Sequence, residues 1–135
     1  MKKSFFRLPE NMTPQARSAF LIATLITVVH FAAVPYYLYL GSTLGIAQYN
    51  MLAYITIALG VIFGIGALLS RRGQPTAGMI LVLGVLTVSY PPVSATLVGG
   101  LGLVLGFALI IVGPMSSFQV LPRKSAWVMT VLTIV

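Results

Sequence analysis

Hydrophobic positions in this chain run in long uncharged blocks instead of alternating with polar ones. Residues 18–40, SAFLIATLITVVHFAAVPYYLYL, carry no charge over 23 positions. As a helix rising about 1.5 Å per residue this block extends about 34 Å, enough to cross a ~30 Å hydrocarbon layer with some tilt. Comparable blocks occupy residues 51–69, 76–90 and 99–120. A further apolar run begins at Trp127 and, as a helix, would extend only about 13 Å to Val135. The pattern predicts an all-α fold: a polytopic membrane helix bundle of four complete transmembrane helices plus the start of a fifth, incomplete over residues 127–135.

Breakers punctuate these blocks. Thr13 followed by Pro14 is a helix start, because the hydroxyl caps a free amide and proline at the first helical position lacks only a donor that would be unpaired anyway. A cleavable signal peptide is the competing reading of the first block, but its apolar core is usually ~7–15 residues, so a retained span is expected. Pro35 is a potential kink, and Tyr36, Tyr37 and Tyr39 suit an aromatic belt at the far interface. Residues 41–50 read as an uncharged outer loop. Ser70-Arg71-Arg72-Gly73 ends the second span, and Pro75 opens the third. Pro91-Pro92 either break the third helix at Tyr90 or kink a longer one that turns at Gly99-Gly100. A break is expected, leaving residues 93–98 as a short outer connection. The fourth span ends against Pro122-Arg123-Lys124, and Trp127 stands at headgroup level.

Composition strengthens the membrane reading. Of 135 residues, 59% are hydrophobic and 7% charged, and the mean hydropathy is +1.04, more than a soluble domain of this size carries. Eight Lys and Arg face one acid, but they stand at the ends of apolar runs and not along a polar face, so nucleic acid is not an expected partner. Four cations precede the first span (Lys2, Lys3, Arg7, Arg17), two lie between the second and third, two follow the fourth, and the outer loops have none. By the positive-inside rule this places a basic lead-in, residues 1–17, in the cytoplasm and a transmembrane domain, residues 18–135, in the inner (plasma) membrane.

Candidate chemistry is sparse. Gly99, Gly102, Gly106 and Gly113 fall within about 60° of one another on a helix, a groove where another backbone can approach. Gly60 and Gly64, with Ala53 and Ala67, form a second small-residue stripe. These are helix-packing residues, and the expected partners are the bilayer and other membrane helices, from a second copy or another protein. His30, near the middle of the first span, is the one ionisable side chain inside a block and a possible polar site. A neutral imidazole hydrogen-bonded to a hydroxyl on the second or fourth helix is the structural reading, and a proton sensor or cofactor ligand the functional one. Met51, Met79, Met115 and Met129 are read as apolar filling. Without cysteine there is no thiolate site. Glu10, the single carboxylate, lies before Pro14 and offers no acid pair for hydrolysis, no embedded acid for proton coupling and no cage for a hard cation. No phosphate-binding glycine loop follows a strand. No catalytic residue, cofactor or metal is expected in this chain.

The lead-in FRLPENMTPQAR (residues 6–17), the run GLGLVLGFALIIVG (residues 100–113) and QVLPRKSAW (residues 119–127) together resemble the N-terminal multi-span membrane region of bacterial sensor histidine kinases and related multidomain signalling proteins. The resemblance covers about a quarter of the chain and carries no catalytic signature. It implies a membrane-embedded sensory and anchoring input region whose ATP-binding and phospho-accepting parts lie downstream. His30, inside an apolar helix, is not the phosphorylated histidine of such proteins. The alternatives are a small structural subunit of a larger membrane complex, docking through the same small-residue seams, and a transporter fragment.

Overall fold

The computed structural model describes residues 12–97, 115 and 117–134. Among these every regular element is an α-helix: α1 (Pro14–Leu44), α2 (Ala47–Arg71), α3 (Pro75–Leu97) and α4 (Arg123–Ile134). The lead-in through Asn11 and the glycines Gly99, Gly102, Gly106 and Gly113 lie outside the described residues.

Each boundary has a local cause. Thr13 is the N-cap of α1, in extended conformation, and its hydroxyl accepts from the Ala16 amide at 3.2 Å, with Pro14 at the first helical position. At the other end Gly45 takes a left-handed φ of 65°, which turns the chain without a Cβ penalty. The α2–α3 turn is a Schellman motif. The Gln74 amide donates to the Leu69 carbonyl at 3.0 Å and the Gly73 amide to Ser70 at 3.2 Å, with Gly73 at φ 84°. Pro75 then starts α3, and Arg71 in the last turn of α2 suits the negative end of the helix dipole.

Two boundaries differ from expectation. The outer loop over residues 41–50 shrinks to Gly45-Ile46, because α1 runs on through Ser42 and Leu44 and α2 begins at Ala47. The close approach of the two helices makes this possible: a Cβ on Gly41 would lie 3.2 Å from the Asn50 amide nitrogen and clash with the Asn50 side chain. The expected break at Pro91-Pro92 is overturned as well, since α3 continues through both prolines to Leu97. Each proline removes one amide from the helical ladder. A helix tolerates that loss when the rest of its ladder holds. Pro35 is likewise carried inside α1.

The helices pack around two apolar clusters. Phe20 and Ala23 of α1, Leu59, Phe63 and Ala67 of α2, and Val82 and Leu86 of α3 form one. Ala19, Met79, Leu83, Val120, Leu121, Ala126 and Met129 form the other. The N-terminal halves of α1 and α3 thus contribute to both, with α2 in one cluster and the α4 region in the other. Serine and threonine hydroxyls bond back within their own helices: Thr27 to the Ala23 carbonyl and Thr56 to Leu52 at 2.7 Å, and Thr130 to Ala126 at 2.9 Å.

Alanines pack in the interior beside the larger side chains of the two clusters, and many large apolar side chains also stand outside. Ala16, Ala19, Ala23, Ala53, Ala67 and Ala126 are buried, whereas Leu25, Tyr54 and Val88 are 65%, 69% and 72% exposed. Two helices, α1 and α2, are long and apolar enough to cross a membrane, and only 22% and 44% of their most apolar stretches are buried. A core helix of a water-soluble protein would be covered on most of its surface. Four such helices are not found among the described residues. The apolar part of α3 described in full, Pro75–Ser89, is shorter than a span.

Candidate functional site

The described cations meet at one end of the bundle. Arg17 stands in the first turn of α1, Arg71 and Arg72 close α2, and Arg123 and Lys124 open α4. The α1 start and the α2 end come together because Met12, Thr13 and Ala16 share a cleft with Arg71, Arg72, Gly73 and Pro75. A hydrogen bond from the Gln15 side-chain amide to the Val120 carbonyl ties the segment before α4 to the same end. The cleft has a volume of about 480 Å³. Its lining combines two arginines with the apolar side chains of Met12, Ala16 and Pro75.

The opposite end is uncharged and aromatic. Tyr36 and Tyr37 of α1, their rings 6.1 Å apart, lie near the α1–α2 turn with Tyr39, and Tyr49 and Tyr54 of α2 join them. Between Arg17 and Tyr36 the α1 axis runs about 28 Å, and between Tyr54 and Arg71 the α2 axis runs about 26 Å. Both values match the thickness of a hydrocarbon core, ~30 Å.

His30 lies between these ends and is buried. Its Nδ1–H donates to the Ile26 carbonyl of its own helix at 2.8 Å. A carbonyl can only accept, so this contact sets the tautomer. Its ring meets Phe63 of α2 edge to face, centroids 4.7 Å apart at 72°. This bond runs to a backbone carbonyl one turn back, which a side chain at this spacing reaches within its own helix. Most of the fourth span, on which one of the expected hydroxyl partners would stand, lies outside the described residues. Among the described residues no group of three or more His, Cys, Asp or Glu side chains is placed to hold a metal ion.

Of the predicted packing glycines, Gly60 and Gly64 are described. A Cβ on Gly60 would stand 3.1 Å from the Phe31 ring, and one on Gly64 would stand 3.7 Å from the Thr27 methyl, so both look toward α1. Ala53 and Ala67 of the same stripe are buried. The tightest approach involves residues the stripe left out. A Cβ on Gly66 would lie 2.9 Å from the Gly78 carbonyl oxygen, and one on Gly78 would lie 3.1 Å from the Ser70 amide nitrogen, so α2 and α3 touch backbone to backbone. Ser70 is fully buried, its hydroxyl bonded to the Gly66 carbonyl at 3.0 Å. The signal was present in the sequence, since Gly66 and Ser70 have the small-xxx-small spacing that brings membrane helices together.

A comparison with protein-family models, with curated proteins and with solved structures returns no match to this chain.

Proposed function

We propose that this chain is a multi-pass segment of a bacterial inner membrane, its basic end facing the cytoplasm. In this reading it serves as the anchoring and sensory input region of a signal-transduction protein. One observation carries the membrane part. A cationic end and a tyrosine-rich end are separated by about 26–28 Å of helix with apolar outer faces, and this is the arrangement that a bilayer, not water, stabilises. In water, so many exposed leucines and valines would be an aggregation surface.

The signalling part rests on the likeness of three segments to sensor histidine kinase membrane regions and on the nature of the helix contacts. Glycine and alanine seams let helices slide or rotate with little change in packing area, so two arrangements can lie close in energy. A stimulus that prefers one arrangement then biases whatever the helices are attached to.

The experiment takes membranes containing the full chain through alkaline carbonate extraction. Retention in the pellet is expected, and release into the supernatant would sink the bilayer reading. The input role is checked separately by what the gene encodes after Val135. Cytoplasmic heptads leading to a phospho-accepting hairpin are expected, and a stop codon there would favour the structural subunit instead.

A further inference from the structure

We propose that the cleft between the first turn of α1 and the α2–α3 turn is a phosphate-binding site, occupied in the membrane by the headgroup of an anionic phospholipid. The proposal rests on the bilayer reading above. It identifies what the basic end would hold there.

The lining matches such a ligand in two halves. Arg71, Arg72 and Thr13 supply polar lining, and Met12, Ala16 and Pro75 supply apolar lining. A phospholipid presents the same division, a charged phosphodiester joined to an apolar remainder. Guanidinium groups suit the charged half because two parallel N–H groups can meet two phosphate oxygens. A volume of about 480 Å³ accommodates a glycerophosphate group, since ligand sites commonly span ~300–1,000 Å³.

Backbone amides contribute little, so the arginines carry the recognition. Pro14 has no N–H, the Ala16 amide is taken by Thr13 Oγ1, and the Arg17 amide is taken by the Thr13 carbonyl at 3.0 Å. On the other wall the Arg72, Gly73 and Gln74 amides all close the Schellman turn. The charge balance then decides the sign of the ligand. The chain carries eight Lys and Arg against one acidic side chain, Glu10, so the overall balance of charge favours an anionic ligand. The cleft's position at the end of the apolar helices is the level at which headgroup phosphates lie.

The test uses the full chain in a neutral detergent and follows its melting temperature with dioctanoyl phosphatidylglycerol, dioctanoyl phosphatidylcholine or inorganic phosphate added. Phosphatidylglycerol should raise the melting temperature, and phosphatidylcholine should raise it much less. Arg72→Gln should weaken the phosphatidylglycerol effect about tenfold or more, and Arg71→Gln with Arg72→Gln should abolish it. Arg123→Gln with Lys124→Gln, at the same end but outside the cleft, should leave it intact. If the double cleft variant does not fold, Arg72→Gln decides alone, because that side chain is exposed on the turn. Equal loss in both double variants, or an unchanged response in Arg72→Gln, would overturn the site in favour of diffuse surface charge. A shift with inorganic phosphate as large as with the lipid would keep the phosphate site and overturn its assignment to lipid. Failure of the bilayer reading would show instead as release by carbonate with the binding intact.

Discussion

At the scale of single residues, the spacing of small side chains was legible and the identity of their partners was not. Gly60 and Gly64 stood out as a stripe, and they look onto Phe31 and Thr27 of α1. Gly66 and Gly78 fall outside that stripe, because a one-dimensional pattern shows that a face is small without showing which helix will cross it. Their contact makes a sharp comparison. Gly78→Ala places a methyl against the Gly66 carbonyl oxygen and Ser70, whereas at Gly84 a Cβ meets nothing within 4 Å. Overpacking of this kind typically costs ~1–3 kcal/mol, while Gly→Ala in an open helical position gains roughly 0.5–1 kcal/mol. Thermal unfolding in detergent should therefore move down for Gly78→Ala and up for Gly84→Ala, and a matching shift in both would mean that α2 and α3 do not touch there. His30 gives a second prediction. Its ring proton goes to a carbonyl of its own helix, and its edge contact with Phe63 is packing. His30→Gln keeps a donor and most of the volume, so it should unfold within about 1 kcal/mol of wild type. Loss of function without loss of stability in this variant would point back to a sensing or ligating role.

At the scale of elements, the sequence marked helix ends well where charge, glycine and proline coincide, and poorly where they do not. Thr13-Pro14 and Arg72-Gly73-Gln74-Pro75 are unambiguous, because capping and φ > 0 chemistry act over a few neighbouring residues. The α1–α2 turn was read too long. Ser42, Thr43 and Gln48 are polar enough to suggest a loop, yet the helices on either side extend over them and leave Gly45-Ile46 as the connection. Pro91-Pro92 predict a stop, since each costs about 3 kcal/mol in an isolated helix interior. Helix α3 nevertheless carries both prolines to Leu97. A continuous helix makes a distinct prediction for Pro91→Ala combined with Pro92→Ala. The two new amides have the Thr87 and Val88 carbonyls in line, so they should be protected from hydrogen exchange to about the same degree as neighbouring α3 amides. Rapid exchange at both positions would restore the break.

At the scale of the whole molecule, one arrangement organises the rest, and it was visible as charge arithmetic before any helix was placed. Every described cation lies at the end where α1 starts, α2 stops and α4 begins, and the opposite end carries Tyr36, Tyr37, Tyr39, Tyr49 and Tyr54. Antiparallel packing of α1 on α2 produces this polarity, since a short turn at Gly45-Ile46 forces the second helix back along the first. The inward face was legible only where small residues mark it, as at Gly60 and Gly64; that Phe63, Val82 and Leu86 are buried was not, because the other faces of these helices are just as apolar. The resulting prediction joins the polarity to the proposed orientation. Ser42 and Gln74 are both exposed, one at the tyrosine end and the other at the arginine end. The chain has no cysteine of its own, so single replacements report cleanly. With the basic end in the cytoplasm, Ser42→Cys should react with an impermeant maleimide added to intact cells, and Gln74→Cys should react only after the cells are opened. Labelling of Gln74→Cys alone in intact cells would invert the orientation. Labelling of both would mean that the two ends are not separated by a membrane, and the cleft at Arg71 and Arg72 would then face the same solvent as the tyrosines.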